Sequence, residues 1–589
     1  MKRFKKYMLM CTMLLLFGGM VHAASSRVGL CLGKISETGM SKTGKGRVSA
    51  AVIIPSSELK KYEGAAIKQI RIGLATADGI SNLQGWVRKE LTGTDLCTAG
   101  LDNIQKGWNT ADFSGNVTID SSSDLVIGYS FDQDKSVACM AVGGIDDENG
   151  CWNALGDNWQ NRSNMCGGSL CIEIVVEGDM VPEKNLAIIN AVADNNVIKK
   201  NSNMHVACVV RNTSSASDVE GYKYTYSVGD KSFGELQSSK TLKYGEEDTL
   251  SIDLPTNELT IDEKLNLNIA VSTPGDRYSD DNTASIPFSV YENSIERTVL
   301  LEEFTSEECS NCPRAIETIA QCMEEGYSKH VVQITHHVGY KDDWLTVDED
   351  RNYIWFYGEG GSFAPAGMLD RTQNDKFDSD VPVFSIAYPD TFRPMLDEAI
   401  SVPAFVSVDQ SLAYDKASRK MDVTVDLHKL PQLDILCPNA RLTLIIIEDS
   451  ILAKHQAGYN SPTFHHRHVY RKCLSDIWGD EISWNNDDAT ISYSFELPKE
   501  WNEQNIETIA FVSEYDADDY NGCKVFNSCK SSLKGIASSV NSIETGSKIK
   551  AVKYYDLSGR TVAEPSKGMF IKAVTYDDGT TKATKLIKK

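Results

Sequence analysis

The sequence predicts a multidomain, β-rich chain in which two β-sandwiches precede an α/β domain, a β-rich companion domain and a small β C-terminal domain. The chain has 589 residues, more than one hydrophobic core usually serves. Short runs of alternating apolar and polar residues, separated by turn residues, recur through most of its length. Between residues 296 and 402 the pattern changes to mixed strand and helix periods, which predicts an α/β domain. With 41% hydrophobic and 24% charged residues, the composition excludes a mostly disordered chain.

Residues 1–23 have the pattern of a secretory signal peptide. Four basic residues among the first six precede an apolar run over residues 8–21, and Ala24 is the predicted mature start. A transmembrane anchor is the alternative, but the run is short for a span. We therefore expect export, with location at the outer membrane or cell surface or in the extracellular medium.

The net charge excludes some classes of partner. The formal charge is −23, and removal of the four basic residues of the signal makes it −27. A chain this acidic has no electrostatic reason to bind nucleic acid or an anionic membrane surface. No later stretch reaches spanning length, so we expect no transmembrane span in the mature chain.

Residues 24–180 predict a jelly-roll-like β-sandwich. Four clear strand patterns lie here: residues 48–54, 67–74, 125–131 and 170–176. The acidic residues Asp146, Asp147, Glu148 and Asp157 could coordinate a cation, although a solvated acidic loop is the favoured interpretation.

Residues 183–293 predict an immunoglobulin-like β-sandwich. About seven short strands fall within roughly 110 residues, which is typical of that fold. The run 206–212 and the later Asp280-Asp281-Asn282 resemble bacterial adhesion-type immunoglobulin modules, which implies a spacer.

The α/β segment, residues 296–402, begins with a strand over 298–304 and a helix over 312–326. Strands over 331–334 and 366–370 follow, and then a second helix over 392–400 with Pro394 in its first turn. Residues 403–535 return to strand patterns and predict the β-rich companion domain.

A Cys-x-x-Cys motif, Cys309-Ser310-Asn311-Cys312, lies between the first strand and the first helix of this segment. A helix N-terminus favours a thiolate at the first cysteine, and the second is near enough to resolve a mixed disulfide. Pro313 suits the first turn of the helix. The chain has 15 cysteines, and Cys309 and Cys312 are the only two that the sequence allows us to pair with each other.

This arrangement resembles the thioredoxin fold. Glu303 stands six residues before Cys309, where thioredoxins have a buried carboxylate, and Pro365 precedes a strand, where they have a cis-proline. The resemblance implies that Cys309 is the nucleophile, Cys312 the resolving thiol, Glu303 the proton relay and Pro365 a contact to the substrate strand. We predict no cofactor.

Some features depart from thioredoxins. Glu308 stands where they have Trp, and Glu302, Glu307 and Glu308 oppose thiolate formation. Three interpretations of the motif stay open: a dithiol oxidoreductase acting on protein thiols or disulfides, a fixed structural disulfide, and a zinc site, for which partner ligands at finger spacing are lacking.

A further resemblance covers about residues 297–535. The run 300–305 with the dithiol, His336-His337, the segment 363–367 with Asp370-Arg371, and the run 465–471 are similar to the outer-membrane-protein-28-related family of secreted thioredoxin-like proteins. It implies an envelope location. His465, His466 and His468 could bind Zn or Cu, but a polar strand motif is favoured, and we predict no metal.

The last residues, 548–589, resemble the C-terminal sorting domain of type IX secretion substrates. A turn at 554–560, a Gly-x-aromatic strand from Gly568 and a basic terminal strand carry the likeness. It implies the secretion machinery as a partner, and a β-meander closing the last domain is the alternative.

Two functions are therefore predicted. The first is a secreted or cell-surface thioredoxin-like protein that exchanges thiols and disulfides through Cys309 and Cys312. The second is a non-enzymatic surface binding or scaffold protein in which that disulfide is structural.

Overall fold

The computed structural model describes residues 24–373, 380–386, 388–460, 463–536, 549–556, 560–562, 568–576 and 581–588. The predicted signal peptide lies outside these ranges. The chain forms two compact units. The first runs to Ile295 and includes Lys429–Pro438, and the second contains Glu296–His428 and Asn439 onward.

The first part of unit one is a sandwich of two antiparallel sheets. Its elements are β1 (Ala24–Val28), β2 (Gly39–Met40), β3 (Gly46–Ile54), α1 (Ser56–Leu59), β4 (Ala66–Leu74), β5 (Ile80–Arg88), β6 (Cys97–Leu101), β7 (Gly107–Thr118), β8 (Leu125–Gln133), β9 (Met140–Gly143), β10 (Trp152–Leu155), β11 (Asn158–Asn161), β12 (Ser169–Leu170) and β13 (Ile172–Gly178). One sheet has the order β1-β13-β4-β9-β12 with β2 and β7 at its sides, and the other has the order β11-β10-β3-β8-β5-β6. Alternating apolar residues such as Ile70 and Ile127 fill the core between them.

The second part of unit one is also built from strands. They are β14 (Leu186–Ala193), β15 (Val197–Lys199), β16 (Asn203–Asn212), β17 (Val219–Glu220), β18 (Lys223–Val228), β19 (Lys231–Gln237), β20 (Thr241–Leu242), β21 (Glu247–Pro255), β22 (Leu265–Ser272) and β23 (Thr283–Tyr291). The sheets β14-β16-β21 and β15-β23-β22-β18-β19 share one apolar core. The short helix α5 (Leu433–Leu436) belongs to this unit although it is about 140 residues away in sequence.

Unit two contains an eight-stranded mixed sheet. Its members are β24 (Val299–Phe304), β25 (Val331–His336), β26 (Ala366–Leu369), β29 (Arg441–Glu448), β32 (Val469–Cys473), β33 (Asp480–Glu481), β35 (Ile506–Ser513) and β36 (Val525–Ser532), in the order β26-β24-β25-β32-β29-β35-β36 with β33 beside β29. β24 runs parallel to β25 and antiparallel to β26. Strands from both predicted segments, 296–402 and 403–535, thus share one sheet, and hydrogen bonding continues across the predicted boundary at 402/403.

Helices cover both faces of this sheet. They are α2 (Cys312–Glu324), α3 (Arg351–Tyr357) and α4 (Pro389–Ser401). α2 and α4 bury Ile319, Phe392 and Met395 against one face, whereas α3 packs on the other. Every residue of β24 is therefore buried, including its two glutamates, Glu302 and Glu303.

Two details differ from the sequence predictions. α4 begins at Pro389, so Pro394 lies inside the helix and not in its first turn, because Pro389 already occupies the N-terminal position that favours proline. The seven-residue helix α3 was not predicted, since its apolar residues form too short a pattern to show a helical period.

The remaining strands form smaller sheets. A three-stranded sheet contains β27 (Val406–Asp415), β28 (Lys420–Lys429) and β34 (Asp488–Glu496), and β30 (Ile451–Leu452) pairs with β31 (His465–His466). Near the C-terminus β37 (Ile549–Tyr555), β38 (Thr561–Val562), β39 (Gly568–Tyr576) and β40 (Thr581–Lys588) form an antiparallel sheet in the order β38-β37-β39-β40. Short 3₁₀ helices lie at Lys60–Tyr62, Ser163–Met165, Tyr327–Lys329, Asp348–Asp350, Glu503–Asn505 and Tyr520–Gly522.

Candidate functional site

The dithiol lies in the turn between β24 and α2. Cys309 and Cys312 form a disulfide with their Cα atoms 5.4 Å apart. Cys312 is the first residue of α2, and Pro313 occupies the first turn, as the sequence predicts for a Cys-x-x-Cys at a helix N-terminus. Both cysteines are buried, and only 3% of Cys309 is exposed.

Glu303 is buried at the end of β24, with 1% of its surface exposed. Gln333 and Thr335 of the adjacent strand donate hydrogen bonds to its Oε2 at 2.9 and 3.3 Å. Its Oε1 has no hydrogen-bond partner among the described residues. Burial raises the pKa of Glu303 to about 7, and the two hydrogen bonds only partly oppose this rise. The carboxyl group can therefore hold or release a proton near neutral pH.

A cavity of about 310 Å³ adjoins Glu303. Ile316, Ile319 and Ala320 of α2 line it together with Gln333. Cys312 precedes Ile316 by four residues, so both lie on the same face of the helix, one turn apart. The face of α2 that begins at Cys312 is thus the face that meets Glu303.

The peptide bond between Ala364 and Pro365 is cis. Pro365 is half-buried and immediately precedes β26. In the register of the sheet, Ala366 lies opposite Phe304, which is the last residue of β24. Pro365 and the dithiol turn consequently lie at the same end of these two paired strands.

A segment that sequence reasoning did not identify packs on the dithiol turn. We call residues 454–458, in the loop between β30 and β31, the covering segment. The Gln456 side chain donates to the carbonyl oxygen of Cys309 at 3.2 Å, and the Ala457 N–H donates to the carbonyl oxygen of Glu307 at 2.8 Å. Gly458, with φ +77°, lies so close that a Cβ atom there would be 2.2 Å from the carbonyl oxygen of Ser310.

The side chain of Glu307 is held within this covered region. Its Oε1 accepts hydrogen bonds from the Lys454 N–H at 3.0 Å and from the Trp344 indole at 2.9 Å. His466 Nε2 lies 3.4 Å from the same oxygen. The carboxylate predicted to oppose the thiolate is therefore engaged by the loops that cover the dithiol.

The opposite side of β24 carries a buried charge network. Arg371 forms two hydrogen bonds with Glu302, at 2.9 and 2.8 Å, and its guanidinium lies 4.7 Å from the ring centroid of Tyr353. His336 binds Asp350 at 2.5 Å and lies 3.5 Å from Glu302. The arginine holds the pKa of Glu302 down at about 2 although burial opposes this, and the two carboxylates raise the pKa of His336 to about 9. Alternation along the strand places Glu302 and Glu303 on opposite faces, so neighbouring carboxyl groups have opposite pKa shifts.

The metal hypotheses gain no support from the geometry. His465, His466 and His468 have different surroundings: His465 is exposed near Ser450, His466 is buried 4.5 Å from the His337 ring, and His468 lies near Asp449. Asp146, Asp147 and Glu148 line one open depression that does not include Asp157. Within the described ranges, no group of three or more His, Cys, Asp or Glu side chains is placed to hold a metal ion.

Part of the second unit matches a known protein family. Residues 360–532 match the family described as outer membrane protein Omp28. This match covers less than a third of the chain and begins after the dithiol, so it includes Pro365 but not Glu303, Cys309 or Cys312. The family match supports the predicted location at the outer membrane or cell surface.

Several solved structures are similar to parts of the chain. HBP35 of Porphyromonas gingivalis has 18% identity and a TM-score of 0.37, covering 51% of this chain and 100% of its own. A domain of the outer membrane lipoprotein Omp28 from the same organism has 20% identity and a TM-score of 0.16, covering 22% and 91%. The CARDB domain of the PF1109 protein from Pyrococcus furiosus has 18% identity and a TM-score of 0.16, covering 19% and 96%. Among curated proteins, none matches the chain.

The helices that the structure describes differ from membrane-spanning helices. None in the described part of the chain combines the length and the apolar composition needed to span a membrane.

Proposed function

We propose that this chain is a surface protein whose thioredoxin-like domain exchanges thiols and disulfides with other proteins through Cys309 and Cys312. The observation that carries the proposal is the burial of the Glu303 carboxyl group with one oxygen lacking a hydrogen-bond partner among the described residues. A carboxyl group that is buried with one oxygen unpartnered is costly, and a purely structural disulfide gives no reason for it. Dithiol exchange does give a reason, because the resolving thiol must lose a proton before it can attack.

The topology around the dithiol supports the thioredoxin-like part of the proposal. β24, α2 and β25 form a parallel strand-helix-strand unit, and β26 follows the cis-proline and pairs antiparallel to β24. Phe384 forms a further antiparallel bridge with Gly367, and α4 follows. This order of elements is the one that the resemblance of the motif implies.

The exchange conserves atoms and electrons in four steps. The Cys309 thiolate attacks a disulfide of a partner protein, and a mixed disulfide forms as one partner thiolate leaves. Cys312 transfers its proton to Glu303 and attacks the Cys309 sulfur. The second partner thiolate leaves, and Glu303 or water supplies its proton. Two electrons pass from the dithiol to the partner. A second protein dithiol then reduces the Cys309–Cys312 disulfide by the reverse of these steps and restores the two electrons.

The covering segment restricts this chemistry. Attack on Cys309 requires a line of approach to its sulfur, but only 3% of Cys309 is exposed, and Gln456 and Gly458 pack on the backbone of its turn. Exchange therefore requires that residues 454–458 move away from the turn. Pro365 would then provide the contact to the partner's backbone at the same end of the strands.

The burial of Cys309 favours a second candidate function. If the covering segment does not open, the disulfide fastens the turn permanently, and the chain is a non-enzymatic surface scaffold. In this case the bond resists reduction, whereas an exchanging pair has a potential close to those of known catalysts.

The reduction potential of the Cys309–Cys312 pair separates the two functions. We expect a value near about −200 mV, together with insulin reduction by the full chain in the presence of dithiothreitol. A C309S variant is the control and should lose the activity. A potential below about −300 mV without insulin reduction would establish the scaffold instead.

We also propose that the signal peptide exports the chain and that residues 548–589 direct it to the cell surface through the type IX secretion machinery. Support comes from the four strands that this segment forms, which agree with the predicted order of a Gly-x-aromatic strand and a basic terminal strand. A chain ending before residue 548 should accumulate in the periplasm, as judged by surface labelling of intact cells. Surface display of that truncated chain would reject the sorting role and leave the exchange proposal unaffected.

A further inference from the structure

Three sulfur atoms meet in the first sandwich, about which the proposed function says nothing. Met40 lies in β2, Cys151 immediately precedes β10, and Cys166 follows the 3₁₀ helix Ser163–Met165. The Met40 sulfur is 3.2 Å from the Cys151 sulfur and 3.0 Å from the Cys166 sulfur. We call these residues the sulfur cluster. They come from three separate segments, so the fold brings them together.

The backbone around the sulfur cluster is fixed by hydrogen bonds. The Arg162 N–H donates to the Cys151 carbonyl oxygen at 2.7 Å, and the Cys151 N–H donates to the Ser163 hydroxyl at 3.1 Å. Met40 is held by the pairing of β2 with β9. The three sulfur atoms therefore lie together before any ligand binds, which lowers the entropic cost of binding one.

We propose that the sulfur cluster is a binding site for a soft monovalent metal ion, Cu(I), with Cys151 and Cys166 as thiolate ligands and Met40 as thioether ligand. Soft thiolate and thioether sulfurs suit Cu(I), and a set of two thiolates and one thioether offers fewer ligands than the four, chosen from Cys, His and carboxylates, that structural zinc sites use. Both thiols release a proton when the ion binds.

The surroundings suit such a site. Burial raises the pKa of both thiols, so the ion has to displace their protons, and the charge of the Arg162 guanidinium favours the resulting thiolate of Cys151. Two thiolates and a monovalent cation carry one net negative charge. Lys42 adds a second cation, since Lys42 and Arg162 both donate to the side-chain oxygen of Gln160, at 2.8 and 2.6 Å. Asp146 is the opposing charge that acts on Cys166.

The site also has a path for entry. Cys151 is buried, but Cys166 is only half-buried. A depression of about 490 Å³, lined by Met40, Arg162 and Met165 among others, opens beside the cluster. An ion can therefore reach the sulfur atoms without unfolding of the sandwich.

The test measures transfer of Cu(I) from its bicinchoninate complex to the full chain under anaerobic conditions. The parent protein carries C309S and C312S, so that the dithiol does not compete. We expect one Cu(I) per chain. Met40→Leu, which conserves volume, should weaken binding at least tenfold, and Cys166→Ser should abolish it. Met165→Leu and Cys97→Ser are the controls and should bind as the parent does, because neither side chain belongs to the cluster.

X-ray absorption supplies a second measurement. The parent should show a shell of three sulfur neighbours, and Met40→Leu a shell of two. Unchanged affinity in both Met40→Leu and Cys166→Ser would overturn the proposal. A second result would also overturn it: the purified chain contains a Cys151–Cys166 disulfide, and the protein takes up no copper after that disulfide is reduced. If Cys166→Ser does not fold, Met40→Leu and its absorption spectrum decide alone.

Discussion

Glu303 illustrates how the hydrogen-bond partners of a buried carboxyl group set its pKa. Its neighbour in the chain, Glu302, has a bidentate arginine partner and remains ionised, whereas Glu303 has only neutral donors on one of its oxygens. Burial is almost complete for both. The difference in pKa between adjacent carboxyl groups follows from the partner and not from the depth.

The raised pKa of Glu303 predicts a pH dependence of stability. Between about pH 4.5 and 7 the unfolded chain loses this proton while the folded chain keeps it, so the free energy of unfolding falls as pH rises. Glu303→Gln removes this loss and should stabilise unit two by about 3 kcal/mol at pH 8, with little effect at pH 4. Thermal unfolding of both proteins across this range measures the difference. Parallel pH profiles would contradict the assigned ionisation.

Arg371 gives a second prediction at this scale. Arg371→Met leaves Glu302 buried without its cation, which should cost about 3–5 kcal/mol. Urea unfolding followed by hydrogen exchange in β24 measures the loss. Arg351→Met is the matched control, since Arg351 pairs with Asp342 at the surface and should cost less than about 1 kcal/mol. Equal effects of the two substitutions would show that the buried pair is not needed.

At the scale of elements, the decisive contact is that between the covering segment and the turn before α2. The turn bears the dithiol, and a loop about 150 residues later in the chain closes it through two backbone carbonyls. Gly458 permits the approach because it has no Cβ and adopts a positive φ. Under the proposed function, movement of this loop would decide whether the helix terminus is accessible to a partner or remains a closed turn.

Gly458→Ala tests this contact. A Cβ at 2.2 Å from the Ser310 carbonyl oxygen cannot be accommodated, so the covering segment should shift and reduction of the disulfide by dithiothreitol should become at least tenfold faster. Gly64→Ala is the control, because Gly64 has a similar φ of +74° but no atom within 4 Å of the place that a Cβ would occupy. An unchanged rate in Gly458→Ala would mean that the segment does not limit access.

At the scale of the whole molecule, the two units are not simple successive halves of the sequence. Lys429–Pro438 departs from the second unit and packs in the first, where the Gln432 side chain donates hydrogen bonds to Asp262, Ser289 and Val290. Deletion of everything after Ile295 would therefore remove part of unit one. Expression of unit one by itself has to include residues 429–438.

Leu433 tests this dependence. Leu433→Ala should destabilise unit one by about 2–5 kcal/mol, since the side chain is buried. Hydrogen exchange should accelerate in β22 and β23 but not in β24 or β26. Leu436→Ala, at a half-buried position of the same short helix, should have a smaller effect. Faster exchange confined to the second unit would contradict the assignment of the segment.

The sequence by itself determined the local features of this protein. Alternating patterns predicted some of the strands of both sandwiches, such as β3, β4 and β8, and helical periods with Pro313 predicted α2. The resemblance to thioredoxins implied a buried carboxylate at Glu303, six residues before Cys309, and Glu303 is buried. Each of these depends on residues within one or two elements, where periodicity and steric preference decide the conformation.

Only the tertiary structure decided what surrounds those features. The covering segment, the sheet shared by residues 296–402 and 403–535, the Glu302–Arg371 pair and the sulfur cluster all join residues that are distant in sequence. A strand pattern shows which residues face a core but not which strand is its neighbour, because many pairings bury the same apolar face. Access to Cys309, on which the proposed exchange depends, is likewise decided by residues that are distant in sequence.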